Sequence, residues 1–318
     1  MCIHGDSFRI RLGIIMLSLL NLQGEIILLL AAGLILRKRG VLKAEAKIVL
    51  TDLIIFLILP CNIISSFQVD FSLELLKKFG IILIIALGIQ LFAFVLSKLI
   101  YKKEARNRGK VLQYATLVSN AGFMGNPIAE SIFGSTGLLY ASVYLIPQRI
   151  IMWSAGLSLF TKSPDKKSLL KKILTHPCIV AVEIGMLLLI TGLRPPGFLN
   201  TTIKVIGNCT TPMSMILIGT ILNDVNVKDA VDKKVIGYTM LRLFIIPGVS
   251  YMCCLILGAD TLVANVTTLL AAMPAGSTTA ILAEKYDCDA EFATKIVVFS
   301  TFMTIVSIPI WNIIFSFH

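Results

Sequence analysis

A chain of 318 residues that is 56% hydrophobic and only 15% charged, with a mean hydropathy of +0.87, has far more apolar surface than a water-soluble core can bury. Ten apolar runs of helix-spanning length recur along it, so the expected fold class is an all-α polytopic membrane protein with ten transmembrane helices. The net charge of +11 raises the question of nucleic acid, but the basic residues are spread over the polar stretches between apolar runs, where membrane topology accounts for them, so no nucleic-acid partner is expected.

Residues 1–13, MCIHGDSFRIRLG, are polar and basic and lead into an apolar run from Ile14. No A-x-A-like cleavage site follows, and the run continues too far for a signal peptide. Met16 is an alternative start, which would make residues 1–15 an extension. The first span is expected near Leu17–Leu36, carries Glu25 and is closed by Arg37-Lys38-Arg39. The second, near Ile48–Phe67, carries Asp52 and a candidate kink at Pro60, beside Cys61 and Asn62. The third is Phe79–Ile100, followed by the basic loop Tyr101–Lys110.

The fourth span, near Val111–Phe133, contains SNAGFMGNPIAESIFG (Ser119 to Gly134). Pro127 removes a backbone donor and crowds the preceding turn, so a helix break is expected at Gly125-Asn126-Pro127. Broken backbone at membrane depth persists only where protein buries it or where it lines a wet cavity. After a GSTG turn, the fifth span, Leu138–Phe160, holds Pro147, Gln148 and Arg149 near its centre. The stretch TKSPDKKSLLKKILT (Thr161 to Thr175) reads as a joint between halves. Spans six to ten are expected near Pro177–Leu193, Thr202–Leu222, Val235–Leu257, Leu262–Ala283 and Phe292–Phe315. The ninth is interrupted in its turn, by MPAGSTTA (Met273 to Ala280).

The second half thus repeats the plan of the first. Pro60 pairs with Pro212 and Pro127 with Pro274, at offsets of 152 and 147 residues. Residues 1–160 are read as one five-helix repeat, 161–176 as a cytoplasmic linker and 177–318 as a second repeat. An odd number of spans per half forces an inverted 5+5 relation. With the N-terminus outside, twenty lysines and arginines fall on the cytoplasmic side against six outside (Arg9, Arg11, Lys77, Lys78, Arg194 and Lys204). This orientation puts both termini outside the cytoplasm, in the plasma membrane.

Catalytic signatures are missing. The three histidines, His4, His176 and His318, form no H-E-x-x-H pair, and there is no G-x-S-x-G or Walker A pattern, so neither an enzyme nor a cofactor is expected. Seven cysteines without a C-x-x-C pair read as packing residues, not as disulfides or metal ligands. What remains is binding at membrane depth. A half-helix beginning after each proline would aim free N–H groups and its positive dipole end into the protein, which suits a carboxylate. The candidate substrate-binding residues are Asn120, Gly125, Asn126, Pro127, Arg149, Pro274, Ser277 and Thr278. The asparagine amides have a second reading, as partners for the broken backbone itself. Arg149 lies too deep to snorkel easily; it is read as the charge that draws an anion, as the structural partner of Glu130, or as a gating group. Glu130, just beyond the break, is the candidate for ion coupling. Glu25, Asp52, Glu183, Arg242 and Lys295 lie nearer span ends and read as interfacial or paired residues.

SNAGFMGNP with its following half-helix, CTTPMSMILIGTIL (Cys209 to Leu222) and the tail from Met273 to Trp311 resemble the auxin efflux carrier family, over a stretch from about Leu20 to the C-terminus. The resemblance implies a permease in which spans one, two, six and seven form a scaffold. The other six would form a transport domain that moves like an elevator, with substrate at the crossing of the two broken helices. It implies small organic anions as substrates and a kinship with bile acid:sodium symporters. Proton or sodium coupling stays open, although MPAGSTTA offers no acid of the kind those relatives use for sodium. The expected partners are a small organic anion and the lipid bilayer, with a homodimer as one assembly the chain allows. Two other readings are a channel-like pore, from the NPI and MPA triplets that echo aquaporin boxes, and a membrane sensor or partner subunit on a carrier fold.

Overall fold

The computed structural model describes residues 24–25, 27–43, 45–160, 170–171, 174–223 and 232–316. Arg9, Arg11, the alternative start at Met16 and most of the 161–176 linker lie outside the described residues. Among the described residues the fold is all-helical, and the one β-type pairing is an isolated antiparallel bridge between Ser119 and Ala275. The helices are α1 (27–38), α2 (Ala46–Ser66), α3 (Leu73–Ile100), α4 (Arg106–Leu117), α5 (Asn126–Ile151), α6 (Pro177–Thr191), α7 (Gly197–Gly207), α8 (Thr210–Asn223), α9 (Lys233–Ile256), α10 (Thr261–Ala271), α11 (Thr278–Lys285) and α12 (Ala290–Ser316). Four of these, α2, α3, α9 and α12, are long and apolar enough to cross a membrane, and α6 and α10 are shorter apolar helices. At 28 residues, α3 is about 42 Å long, more than the ~30 Å of a hydrocarbon core.

Local sequence explains where helices start and stop. Ser72 caps α3 by accepting from the Leu75 N–H, Asp260 caps α10 by accepting from the Val263 N–H, and Gly192 ends α6 in the left-handed region at φ 68°. Gly134, at φ 68° and ψ −163°, bends α5 within the GSTG turn anticipated from sequence.

Three prolines share one device. Pro60, Pro127 and Pro247 each stand second in an α-helical segment that directly follows a five-residue π-helical turn, Ile54–Ile58, Ala121–Gly125 and Leu241–Ile245 respectively. A π turn widens the ladder where the proline ring would meet the carbonyl one turn earlier, so the helix continues instead of ending.

Helix contacts run through small residues, as expected where lipid supplies no hydrophobic drive. A Cβ on Gly33 would collide with the Ile216 carbonyl, and one on Gly219 with the Leu30 carbonyl, so α1 and α8 touch backbone to backbone. Helix α2 packs against α6 and α7, where Gly185 faces the Phe67 ring and Gly207 faces the backbone of Asn62. Helices α3, α4, α5 and α9 to α12 pack around one another, with α10 at their centre and buried from Val263 to Ala271. Ion pairs Lys78–Asp260 and Arg194–Asp70 tie connections beside the start of α3 and the end of α6. Arg108–Asp289 and Lys234–Glu104 tie connections around the start of α4.

Candidate functional site

Two interruptions of helical backbone meet at the centre of this assembly. The first follows α4. Val118 is extended (φ −116°, ψ 104°), Ser119 and Asn120 continue the break, and the π turn Ala121–Gly125 restores the helix. The second runs from Ala272 through Ser277, between α10 and α11. They lie antiparallel across each other: the Asn120 N–H donates to the Pro274 carbonyl (2.8 Å) and the Gly276 N–H to the Val118 carbonyl (2.9 Å). Glycine permits this approach, because a Cβ on Gly276 would lie 3.1 Å from the Val118 oxygen.

Side chains brace the crossing further. Arg242 donates from Nε to the Met273 carbonyl (2.9 Å) and from Nη1 to the Thr116 carbonyl (3.2 Å), bracing both breaks at once. The Ala275 N–H donates to Ser300 Oγ (3.2 Å). Gln148 donates to the Ser119 carbonyl (2.8 Å) and accepts from the Ser119 hydroxyl (3.0 Å). The Tyr238 hydroxyl donates to the Ala115 carbonyl (2.8 Å), and that of Tyr114 to Thr278 Oγ1 (3.1 Å). Buried backbone must find such partners in a medium that supplies none, so this irregular backbone is a specified structure.

Beside the crossing lies a cavity of about 140 Å³. Its walls are Val118 to Asn120, Gly122 and Phe123 of the first break, Gly276 to Thr278 of the second, Leu145, Gln148, Arg149 and Met152, Ile55 and Leu59 of α2, and His176 before α6. The volume is close to the ~150 Å³ that admits a benzene ring. Arg149 is half-buried, and its Nη1 lies 2.9 Å from His176 Nε2. Its Nη2 rests on the backbone of the first break, 2.8 Å from where a Cβ on Gly122 would stand. The lining offers a guanidinium, two amides and hydroxyls, and no carboxylate among the described residues. Such a set can donate several hydrogen bonds to an anion.

Asn120, Arg149, Ser277 and Thr278, expected from sequence, line this cavity together. Gly125, Asn126, Pro127 and Pro274 do not; they build the crossing. A Cβ on Gly125 would press on Met273 and Leu270 (3.1 and 3.2 Å). Asn126 is fully buried, and its amide bonds to no described residue. The expected break at Gly125-Asn126-Pro127 is corrected: the non-helical backbone is Val118 to Asn120, because the π turn absorbs Pro127 and keeps that stretch helical. The half-helix therefore begins before the proline, and its free N–H groups lie around Ala121. At the second break Pro274 stands within the non-helical segment, and α11 follows it as expected.

A pairing of Arg149 with Glu130 is also corrected. Glu130 accepts from Asn62 Nδ2 of α2 at 2.7 Å, and Arg149 meets His176 instead. Arg242 is no interfacial residue, being 4% exposed at the crossing. Six described cysteines are free thiols, of which Cys178 and Cys254 are buried while Cys209 is exposed. Sequence reading did not assign Ser119, Gly122, Gln148 or His176 to the site, and it read Arg242 as an interfacial or paired residue. For Arg242 a signal was present, an arginine inside the apolar run that leads to Pro247. His176, at the end of a polar linker, gave none.

A family model described as Membrane transport protein matches residues 23–171 and again residues 165–312. Over 298 residues the chain is 28% identical to an "Uncharacterized transporter" of Methanothermobacter thermautotrophicus, an alignment covering 91% of this chain and 96% of that protein. It is 23% identical over 298 residues to a second "Uncharacterized transporter", of Methanocaldococcus jannaschii, with 90% and 96% covered. Helices built to cross a bilayer agree with these matches, which together take in nearly all of the sequence, and with the motifs at both breaks: the chain belongs to the Membrane transport protein family, the auxin efflux carrier-like transporters, and is a multi-pass membrane protein.

Proposed function

We propose that the protein is a secondary carrier that moves a small organic anion, a carboxylate of few heavy atoms, across the plasma membrane. The observation that carries this reading is Arg149, a guanidinium at the wall of a small cavity formed by two crossing breaks, with an imidazole and, among the described residues, no carboxylate beside it. In this reading Asn120, Ser277, Thr278 and the N–H groups around Ala121 complete the cradle, and Gly125, Asn126, Pro127 and Pro274 shape it from behind. The ten spans form an inverted 5+5 repeat with both termini outside, a layout consistent with the doubled family match and with four ion pairs, each of which joins connections assigned to one side. Spans one, two, six and seven (α1, α2, α6 and α7–α8) act as scaffold, and the remainder slides against them as an elevator. The cavity wall is drawn from both groups, since Ile55, Leu59 and His176 face Arg149 and the breaks across it. Glu130 lies outside the cavity, where its bond to Asn62 joins α5 to α2 and would have to break on sliding; this supports a coupling role for it.

Counterflow in proteoliposomes tests the reading. Vesicles preloaded with the right mono- or dicarboxylate should accumulate the labelled compound saturably, whereas linear, non-saturating flux would indicate a pore and no flux across a broad panel would indicate a sensor. A reporter cysteine in 161–175 should react only from the cytoplasm and one in 194–197 only from outside; the reverse pattern would contradict the inverted layout.

A further inference from the structure

His176 stands between two hydrogen-bond donors. Its Nε2 faces Arg149 Nη1 at 2.9 Å, and its Nδ1 faces the backbone N–H of Cys178 at 3.2 Å, at the first turn of α6. A guanidinium and a backbone amide can only donate, so each contact requires a ring nitrogen with a free lone pair. A neutral imidazole has one such nitrogen, and an imidazolium has none. The two contacts are therefore mutually exclusive, and a protonated ring would forfeit both while placing two cations in contact.

The surroundings act in the same direction. His176 lies just before α6, so the positive end of that helix dipole points at it. Burial and then the Arg149 charge hold its imidazole well below the ordinary histidine range. Among the described residues, the titratable groups facing it are Arg149 from α5 and Cys178 from α6. The α2 and break segments of the cavity present Ile55, Leu59, Asn120, Ser277 and Thr278, none of which titrates near neutrality.

We infer that His176 is a proton site coupled to anion binding: an anion that takes over the Arg149 guanidinium frees Nε2, which then accepts a proton from water and donates it back toward the anion. The inference rests on the proposed anion site and concerns the co-transported proton. The accounting is simple: one bond, Arg149 Nη1–H to Nε2, is exchanged for one from Arg149 to the anion, and the incoming proton offsets one anionic charge. Proton and anion thus bind cooperatively, each raising affinity for the other by the same factor. The guanidinium and the helix end keep the ring neutral. Binding supplies negative charge and raises the ring's proton affinity, so anion affinity should grow as pH falls through the range that the bound-state ring titrates.

The test is calorimetry of the purified full-length protein with benzoate, malonate and acetate as probes, near pH 6.5, in two buffers of different ionisation enthalpy. The wild type should take up close to one proton per anion bound, and its affinity should tighten by up to about tenfold per pH unit lowered. His176→Gln, which keeps an acceptor for Arg149 but cannot titrate, should bind the same anion with no proton uptake and no pH dependence. His176→Asn serves the same purpose should the Gln variant fail to fold. Wild-type binding without proton uptake overturns the inference while leaving the anion site intact. So does uptake that persists in a folded His176 variant, which would assign the proton elsewhere, with Glu130 the next group to test. Failure of all three probes and of a wider carboxylate panel to bind would remove the anion site, and the inference with it.

Discussion

Arg242 and Arg149 both sit among apolar residues beside the crossing, but their settings differ. Arg242 is 4% exposed and meets the ends of α4 and α10, where the carbonyls of Thr116 and Met273 accept its N–H groups. Two helix C-termini bring partial negative charge to that spot, which favours a guanidinium there. Arg149 is half-buried and meets helix starts instead, the π turn Ala121–Gly125 that leads into α5 and the first turn of α6 beyond His176. Positive charge there is opposed by the local dipoles, which the proposed anion would offset. The same side chain is thus a brace where helices end and, in the proposed reading, the anion-binding group where they begin.

The comparison can be broken most forcefully at Arg242. Arg242→Met leaves two buried carbonyls without donors, at about 1–3 kcal/mol each, so thermal unfolding in detergent should fall sharply, and Arg242→Lys should recover only part of the loss. An Arg242→Met protein as stable as the wild type would show that the brace is not needed. Gly125→Ala comes next: its methyl would press on Met273, Leu270 and Ala121 within the crossing, costing roughly 1–3 kcal/mol of stability. Gly122→Ala meets only the far end of the Arg149 side chain, so it should leave unfolding nearly unchanged and weaken anion binding about tenfold, or ~1.4 kcal/mol.

The two breaks differ in a parallel way. Pro274 stands in non-helical backbone, and Pro127 stands inside a helix already rescued by its π turn, so Pro274→Ala should impair transport more than Pro127→Ala when both are scored for flux per folded protein. Equal losses would mean that both prolines set the crossing. The smallest expected effect is a coupling of less than ~0.5 kcal/mol between Arg149→Gln and Glu130→Gln, measured on unfolding, because Glu130 bonds to Asn62 and Arg149 to His176.

Much of this was legible in the sequence because membrane physics leaves marks on composition. Apolar run length gave the helices, and small polar residues beside proline in an apolar run gave both interruptions. The displacement of the first break from Pro127 to Val118–Asn120 was not legible, because a π turn is a property of the ladder and has no residue signature of its own. Four cavity residues, Asn120, Arg149, Ser277 and Thr278, were recognised because polar groups at membrane depth are conspicuous. His176 was missed because it enters the cavity from a polar connection, where a histidine attracts no notice. Arg242 was seen but misplaced: its partners are carbonyls 31 and 126 residues away, and no pairing of side chains in the sequence points to them.

The central proposal is that Arg149, held only by His176 and by no carboxylate among the described residues, takes an anion, and the most direct measurement is carboxylate binding and thermal unfolding recorded on one preparation each of wild type, Arg149→Gln and Arg149→Lys. The account predicts that Arg149→Gln unfolds within about 1 kcal/mol of the wild type while saturable binding is lost, and that Arg149→Lys restores the charge and part of the affinity but not the two parallel bonds of the guanidinium. An Arg149→Gln protein that binds carboxylate with wild-type affinity, or one that no longer folds, would contradict it.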